Sequence, residues 1–440
     1  MKNMFLTDRF FLVFGILVVL FATAFALPPL FLIVKILLVI AIVVCIIDGI
    51  NVFNKDVDFA CERIVPKVFS LGDENKVTLN LINKSSKDLF VSIIDELPVQ
   101  FQKRDFEILL NIKPKEEVGR TYLLRPLERG SYAFGDIQIF VETPFHLIKR
   151  KITIEAAKEV PVFPSIMQMK KYELMALSSI ATTEGLKKMR RIGHSYEFEQ
   201  IKNYVPGDDY RSVNWKASSR RAQLMVNQYE DERSQQVYCI IDKSRNMRMP
   251  FEGLSLMDYA INTSLVISNV VLQKHDKAGL ITFSDKIGAT IKADRRPAQL
   301  NKILTALYRE QPRDLESNFE ILYHSARKLI KGRSLLMLFT NFESLQAAER
   351  MLPLLRKVNN IHLLVVVFFV NTEIEDFAKS EVTTTEGIYH QVIAKKFLNE
   401  KEQIVQKYKQ YGIQSILTRP DDLSINTINK YLELKARGLI

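Results

Sequence analysis

The stretch that decides the fold is Val237-Tyr-Cys-Ile-Ile-Asp242-Lys-Ser244-Arg-Asn246-Met247. An apolar strand over residues 237–242 ends on an acid. If the chain stays extended beyond it, alternate side chains share a face. Asp242, Ser244 and Asn246 then point one way, and Lys243 and Arg245 the other. Three oxygen-bearing side chains on one edge of a loop, at the carboxyl end of a strand, make half of a hard-cation site.

C-terminal to this loop, apolar strands alternate with helical segments. Helices are expected over 256–274, 298–308, 319–331, 345–358, 392–411 and 424–437, and strands over 277–283, 287–293, 334–340, 361–370 and 414–417. The run Ile361-His-Leu-Leu-Val-Val-Val-Phe-Phe-Val370 is too continuously apolar for a sheet with one wet face. It suits a parallel sheet covered by helices on both sides. Residues 234–440 are therefore expected to form a doubly wound α/β domain, with ligands at the carboxyl ends of its strands.

Toward the N-terminus, residues 165–233 read as a connector, helical and basic at first, then polar and aromatic. It holds the only tryptophan, Trp215. Pro206-Gly207-Asp208 is a turn, because proline presets φ and glycine supplies a positive one. Residues 57–164 carry strand signals at 76–83, 90–96, 106–112, 120–124, 136–142 and 152–154. Turn residues separate them, among them Gly72-Asp73, Lys113-Pro114 and Arg129-Gly130. Strands recurring every 10–16 residues or so indicate a small β-sandwich.

Residues 10–27 and 30–47 are apolar runs, each about 27 Å long as a helix, close to the thickness of a bilayer core. Pro28-Pro29 between them suits a tight turn, so residues 1–56 read as a transmembrane helical hairpin. A cleaved signal peptide is the competing reading, on Lys2, Arg9 and the alanines at 22, 24 and 26, but a second apolar run follows at once. Lys2 and Arg9 before the first run, and Lys55, Arg63 and Lys67 after the second, place both ends in the cytoplasm.

The chain is 47% hydrophobic and 25% charged, ordinary for a globular protein, with a net charge of +11. Such charge suits a domain held near anionic headgroups. Nucleic acid is the sharper alternative, through Lys187, Lys188, Arg190, Arg191 and Arg220-Arg221. Acidic residues interleave with these clusters, however, and no nucleic-acid motif accompanies them. Cys45, Cys61 and Cys239 form neither a metal knuckle nor a disulfide framework, as in a reducing compartment. The six histidines are scattered, and H-E-x-x-H, C-x-x-C, the P-loop and G-x-S-x-G are all missing.

One segment is recognisable. Gly193-His-Ser-Tyr-Glu-Phe-Glu-Gln200, followed by Tyr204-Val-Pro-Gly207-Asp208-Asp209-Tyr-Arg211-Ser-Val-Asn-Trp215-Lys216-Ala-Ser-Ser-Arg220, resembles the signature of the bacterial domain-of-unknown-function-58 family. That pattern is approximately G-D-D-x-R-x-I-D-W-K-x-S-A-R, so Asn214 replaces its Asp and Ser219 its Ala. Glu128-Arg-Gly-Ser-Tyr-Ala-Phe-Gly135, Thr143-Pro-Phe-His-Leu-Ile-Lys-Arg150 and the two apolar runs resemble the family as well. The resemblance implies a protein of the bacterial cytoplasmic (inner) membrane. It also implies a von Willebrand factor type A-like (Rossmann-like) domain over 234–440, and a partner role beside MoxR-type AAA+ ATPases.

In type A domains the 242–246 loop corresponds to D-x-S-x-S of the metal-ion-dependent adhesion site. By resemblance, its further positions fall on Ser317 and Asn341. The candidate metal set is then Asp242, Ser244, Asn246, Ser317 and Asn341: one carboxylate and four neutral oxygens, which leave most of a Mg²⁺ charge unbalanced. The expectation is a docking edge without a cofactor, with Mg²⁺ as the alternative. Gly207, Asp208, Asp209, Arg211, Trp215, Lys216 and Arg220 are expected as signature and interaction residues. Read locally, an Asp of this turn caps a helix or pairs with Arg, and Trp215 packs on the α/β domain. No residue is expected to be catalytic. The function expected is a non-enzymatic membrane-anchored scaffold engaging a MoxR-type ATPase or its client protein. The alternatives are a metal-dependent hydrolase using Asp242, Asp208 and Asp209, and a basic nucleic-acid-binding membrane protein.

Overall fold

The computed structural model describes residues 3–26, 28–54, 56–103, 105–170, 197–206, 208, 210–230, 234–342, 344–382 and 384–440. The chain divides into two compact units, Met1–Ser165 and Ile166–Ile440.

The first unit begins with β1 (Met4–Leu6) and continues into two helices, α1 (Asp8–Ala26) and α2 (Pro28–Val52). Stretches Asp8–Phe25 and Leu30–Val52 are long and apolar enough to cross a membrane. Side chains such as Phe11, Val18, Ile33 and Ile46 are exposed along them, as a lipid-facing surface requires. The prolines do not stand between the helices, as the sequence suggested: α2 starts at Pro28. In the first turn of a helix a missing N–H costs nothing, so proline is tolerated there.

The rest of this unit is all β. It comprises β2 (Phe59–Ile64), β3 (Phe69–Ser70), β4 (Asn75–Asn83), β5 (Leu89–Asp95), β6 (Glu107–Ile112), β7 (Glu117–Leu124), β8 (Gly130–Phe134), β9 (Ile137–Glu142), β10 (Ile148–Ile154) and β11 (Lys158–Phe163). They pair in the orders β1-β10-β9-β5-β6, β2-β4-β7 and β3-β11-β8. Alternate residues of β4 face inward, so Val77, Leu79 and Leu81 are buried; Leu79 and Leu81 meet Val91, Ile93, Ile139 and Val141 in the core. Inside it, Arg63 pairs with Asp95 and donates to the carbonyls of Ala156 (2.9 Å) and Gly135 (3.0 Å), while Tyr122 Oη donates to Asp95. The expected turn at Arg129-Gly130 gives way to a strand at its second residue. Gly130, at φ +143, opens strand β8, and Tyr132 Oη ties back to Glu128 O at 3.0 Å. Strands β2 and β11 went unforeseen because Glu62, Arg63, Lys158, Glu159 and Pro161 break their apolar pattern.

The hairpin of α1 and α2 is built into this sheet. Residues ahead of α1 pair with strand β10, Met4 opposite Arg150 and Leu6 opposite Ile148. Thr7 Oγ1 accepts from Phe10 N at 3.3 Å and so caps α1. In the last turns of α2 the buried Asp48 accepts from Leu147 N (3.1 Å), Ile148 N (2.9 Å) and Thr143 Oγ1. The Thr143–Arg150 motif is thus the clasp between sandwich and hairpin, and both ends of the hairpin lie at the same side.

The second unit begins with helical residues 166–170, and the next element among the described residues is the antiparallel hairpin of β12 (Glu197–Asn203) and β13 (Met225–Glu230), whose tip holds the short helix α3 (Trp215–Arg221). Next come β14 (Gln236–Asp242), a small hairpin β15 (Pro250–Phe251) and β16 (Leu254–Ser255), and helix α4 (Leu256–Gln273). Strands β17 (Lys277–Phe283) and β18 (Ile287–Asp294) precede helices α5 (Ala298–Arg309) and α6 (Phe319–Leu329). The chain then alternates through β19 (Leu335–Phe339), α7 (Leu345–Ile361), β20 (Leu363–Phe369), α8 (Thr372–Lys379), α9 (Thr385–Gln410), β21 (Gln414–Thr418) and α10 (Leu423–Ala436).

The six main strands lie in the order β18-β17-β14-β19-β20-β21. All pairs are parallel except β17–β18. The sheet is therefore mixed rather than wholly parallel. Only Ser284, Asp285 and Lys286 join β17 to β18, too short a link for a crossover, so the edge strand must turn back. Strand β14 is buried on both faces. Val237, Cys239 and Ile241 pack toward α4, α5 and α10, and Tyr238 and Ile240 toward α6, α7 and α9. This division is the doubly wound arrangement read from the sequence. Helix α8 was not foreseen, and α9 starts at Thr385, capped by Thr384, rather than at Val392. Its early turns are mostly polar and leave Ile388, Tyr389 and Val392 exposed, so no buried stripe marks them.

Candidate docking edge and signature hairpin

Strand order reverses beside β14: the chain leaves it for β17 on one side and returns to β19 on the other. The crevice at the carboxyl ends of β14 and β19 is the topological switch point, where open α/β sheets place ligands. Asp242 ends β14 there and is fully buried. Its Oδ1 accepts from Ser244 N at 2.9 Å. Its Oδ2 accepts from Ser317 Oγ at 2.6 Å and Thr340 Oγ1 at 2.7 Å. Burial pushes this carboxyl above its ordinary 3.8, and the hydrogen bonds from Ser317, the Ser244 amide and Thr340 oppose that shift. The Ser244 hydroxyl opposes it too, although it makes no well-formed hydrogen bond of its own.

Of the five candidate oxygens, hydrogen bonds bring Asp242, Ser244 and Ser317 together. The other two depart from expectation. Ser244 is extended, but Arg245–Met247 then forms a 3-10 turn, so alternation along the chain stops at Ser244. Asn246 sits inside that turn, its Oδ1 buried without a hydrogen-bond partner, as is Ser244 Oγ. Each such atom costs on the order of 1–3 kcal/mol, which a bound water or a partner's donor would remove. Asn341 is engaged elsewhere: its Oδ1 accepts from Lys401 Nζ of α9 at 2.6 Å, and the same ammonium donates to Phe342 O. Thr340 and Lys401 were missed by sequence reasoning. Thr340 closes an apolar run that reads as a strand, and Lys401 lies 60 residues away along the chain from Asn341.

The alternate side chains leave the cluster as expected. Lys243 Nζ pairs with Glu310 at 2.6 Å, and Glu310 Oε1 accepts from Thr282 Oγ1 and Ala289 N. Arg245 pairs with Glu316 at 2.9 Å on the rim. Ser284 and Asp285 form a loop in which Asp285 takes the Arg313 guanidinium. Among the described residues, no three His, Cys, Asp or Glu side chains gather in a metal-binding group.

The signature segment forms the tip of the β12–β13 hairpin. Asn214 caps α3 by accepting from Ala217 N at 3.0 Å, a position where Asn serves as well as Asp. Ser218 Oγ donates to Asn214 O (2.8 Å) and accepts from Met225 N (2.9 Å), which ties helix to strand. Asp208 neither caps a helix nor pairs with Arg. It pairs with Lys202 at 2.8 Å and accepts from Val205 N, contacts that hold its carboxyl below the usual range. Trp215 does not pack on the α/β domain, for its side chain is 72% exposed. The reason is the register of α3: Ser218, not Trp215, faces the hairpin. Arg211 lies over the Tyr210 ring at 5.7 Å, and Lys216 and Arg220 are exposed. Gly207, Asp209 and the cluster Lys187, Lys188, Arg190 and Arg191 lie outside the described residues.

Strand order, the antiparallel edge strand and the D-x-S loop at the switch point define a von Willebrand type A-like α/β domain. Residues 200–385, from within the hairpin to the start of α9, match the family described as "Protein of unknown function DUF58". It is 26% identical over 178 residues to "Uncharacterized protein YeaD" of Bacillus subtilis (strain 168), a match over 39% of this chain and 44% of that protein. Solved structures similar to it include BatB of Bacteroides thetaiotaomicron (13% identity, TM-score 0.30, 46% of this chain and 99% of that one). The SpRpn10 VWA domain is similar at 12% identity and a TM-score of 0.28, over 44% of this chain and 94% of that one.

Proposed function

We propose that this chain is a non-enzymatic adaptor anchored in the bacterial cytoplasmic membrane with its soluble units in the cytoplasm. Its type A-like domain engages a MoxR-type AAA+ ATPase or that enzyme's client. The observation that carries this reading is the state of Asp242. It stands at the ligand-binding edge of the fold, yet its carboxylate is spent on internal hydroxyls and an amide. A general base or nucleophile needs access to a substrate and an orienting third group. Asp242 is fully buried, and Asp208 is held by Lys202 in the hairpin tip.

The edge works without a metal ion in this reading. Mg²⁺ asks for carboxylate charge and open oxygen sites. Asp242 brings one negative charge, and the Lys401 ammonium bonded to Asn341 brings a positive one to the next residue along from Thr340. A dication would face that ammonium with no second acid to offset it. The unpartnered Ser244 Oγ and Asn246 Oδ1 instead favour N–H donors from a docked protein, reached by opening the 245–247 turn.

The test is recovery of partners by the tagged full-length chain from detergent-solubilised membranes with ATP and Mg²⁺. An ATPase of the MoxR class is expected with the wild type and depleted with Asp242→Ala. Its absence in every nucleotide state would sink the reading. A tight Mg²⁺ or Mn²⁺ site found by calorimetry on the same preparation would overturn the metal-free edge.

A further inference from the structure

The tip of the signature hairpin is firmly built and yet presents apolar rings to water. Tyr204 N donates to Leu224 O at 2.8 Å, Val213 bridges Val226, and Ser218 locks α3 to Met225, so hydrogen bonds tie the described residues of the tip together. On it, Trp215 is 72% exposed, Tyr210 71%, Val205 56% and Leu224 50%. Lys216 and Arg220, four residues apart, share one face of α3, and Arg221 follows. Among the described residues Lys216, Arg220 and Arg221 make no ion pair, and the one described acid of the tip, Asp208, is already matched by Lys202.

We infer that this tip is a peripheral membrane-binding element that seats Trp215 and Tyr210 at the headgroup level of a bilayer containing anionic phospholipid. Amphipathic rings settle where an apolar body and a polar edge are both satisfied, which is the interface. Lys216, Arg220 and Arg221 supply the charge that anionic headgroups attract. Carriage of the unit on a chain anchored through α1 and α2 makes the contact intramolecular with respect to the bilayer, so even a weak surface is occupied. The inference rests on that anchoring and is independent of which protein docks at Asp242.

Trp215 is the only tryptophan in the chain, so its emission reports on this tip alone. The full-length protein is reconstituted into vesicles of phosphatidylcholine, or of phosphatidylcholine with phosphatidylglycerol, with and without brominated acyl chains. With phosphatidylglycerol the emission should move to shorter wavelength and be quenched by the bromolipid. Both effects should fade at about 1 M salt, where screening acts over about 3 Å. The variant Lys216→Gln/Arg220→Gln/Arg221→Gln keeps the Asn214 cap and the Ser218 tie and should lose both effects. Water-like, unquenched emission from the wild type in both vesicle types overturns the proposal. So does a shift that appears only when an acidic protein is added, which would make the tip a protein-docking surface. A chain that fails to float with the vesicles overturns the anchoring, and the proposal with it.

Discussion

At the residue scale the decisive group is Asp242. Unfolded, it titrates near its ordinary 3.8; folded, burial raises it. Below the lower value both states are protonated and the group contributes nothing. As pH rises between the two values, the unfolded state loses its proton first, so stability falls through that window and stays lower above it. Asp242→Asn removes this dependence. Its stability relative to wild type should therefore improve as pH rises through that window and stay level above it, as read by denaturant unfolding in detergent. Thr340→Val deletes a donor to Oδ2 and should cost about 1–3 kcal/mol at neutral pH. Less should be lost below the raised folded-state value, where the protonated carboxyl needs fewer donors. Cys239, fully buried in β14, has a thiol pushed up to about 12, so it should resist alkylation until the domain unfolds.

At the element scale, two joints carry the family-like motifs. Asn214→Ala should cost about 1 kcal/mol of local stability at α3. Asn214→Asp, which restores the family's residue, should cost almost nothing; amide exchange at Ala217 distinguishes the two. Asp48→Ala removes the acceptor for Leu147 N and Ile148 N and should raise exchange and proteolysis around 143–148 while α1 and α2 stay inserted. Neither joint was legible in advance. The motif residues were visible, but Asp48 and Thr143 meet across 95 positions of sequence. What periodicity does reveal is local: β17 was read to the residue, and β4, α4 and α10 to within a residue at each end. It fails at β2, β11 and the start of α9, where charge, proline or exposure hides the buried face.

At the scale of the whole molecule, β1 is the informative element. Three residues ahead of α1 join the sheet that follows α2, so the sandwich and the N-terminus share one side of any bilayer the hairpin spans. Cysteines introduced at Asn3 and Glu117 should react with an impermeant maleimide from the same side, the cytoplasmic one. Labelling from opposite sides would contradict the hairpin. The doubly wound fold was legible because continuous apolar strands admit little else. The docking edge was only half legible. Asp242 and Ser244 follow from the alternation of the strand and Ser317 from the family resemblance, whereas the 3-10 turn that holds Asn246 and the Lys401 ammonium on Asn341 depend on how the loop and α9 pack.

The most direct measurement is the dissociation constant between the full-length protein in detergent and a purified MoxR-type ATPase, the partner proposed for the Asp242 edge. Asp242→Ala should weaken binding tenfold or more, equivalent to about 1.4 kcal/mol, with Asp242→Asn as the folded control of intermediate effect. Equal affinity for wild type and both variants would contradict docking at that edge.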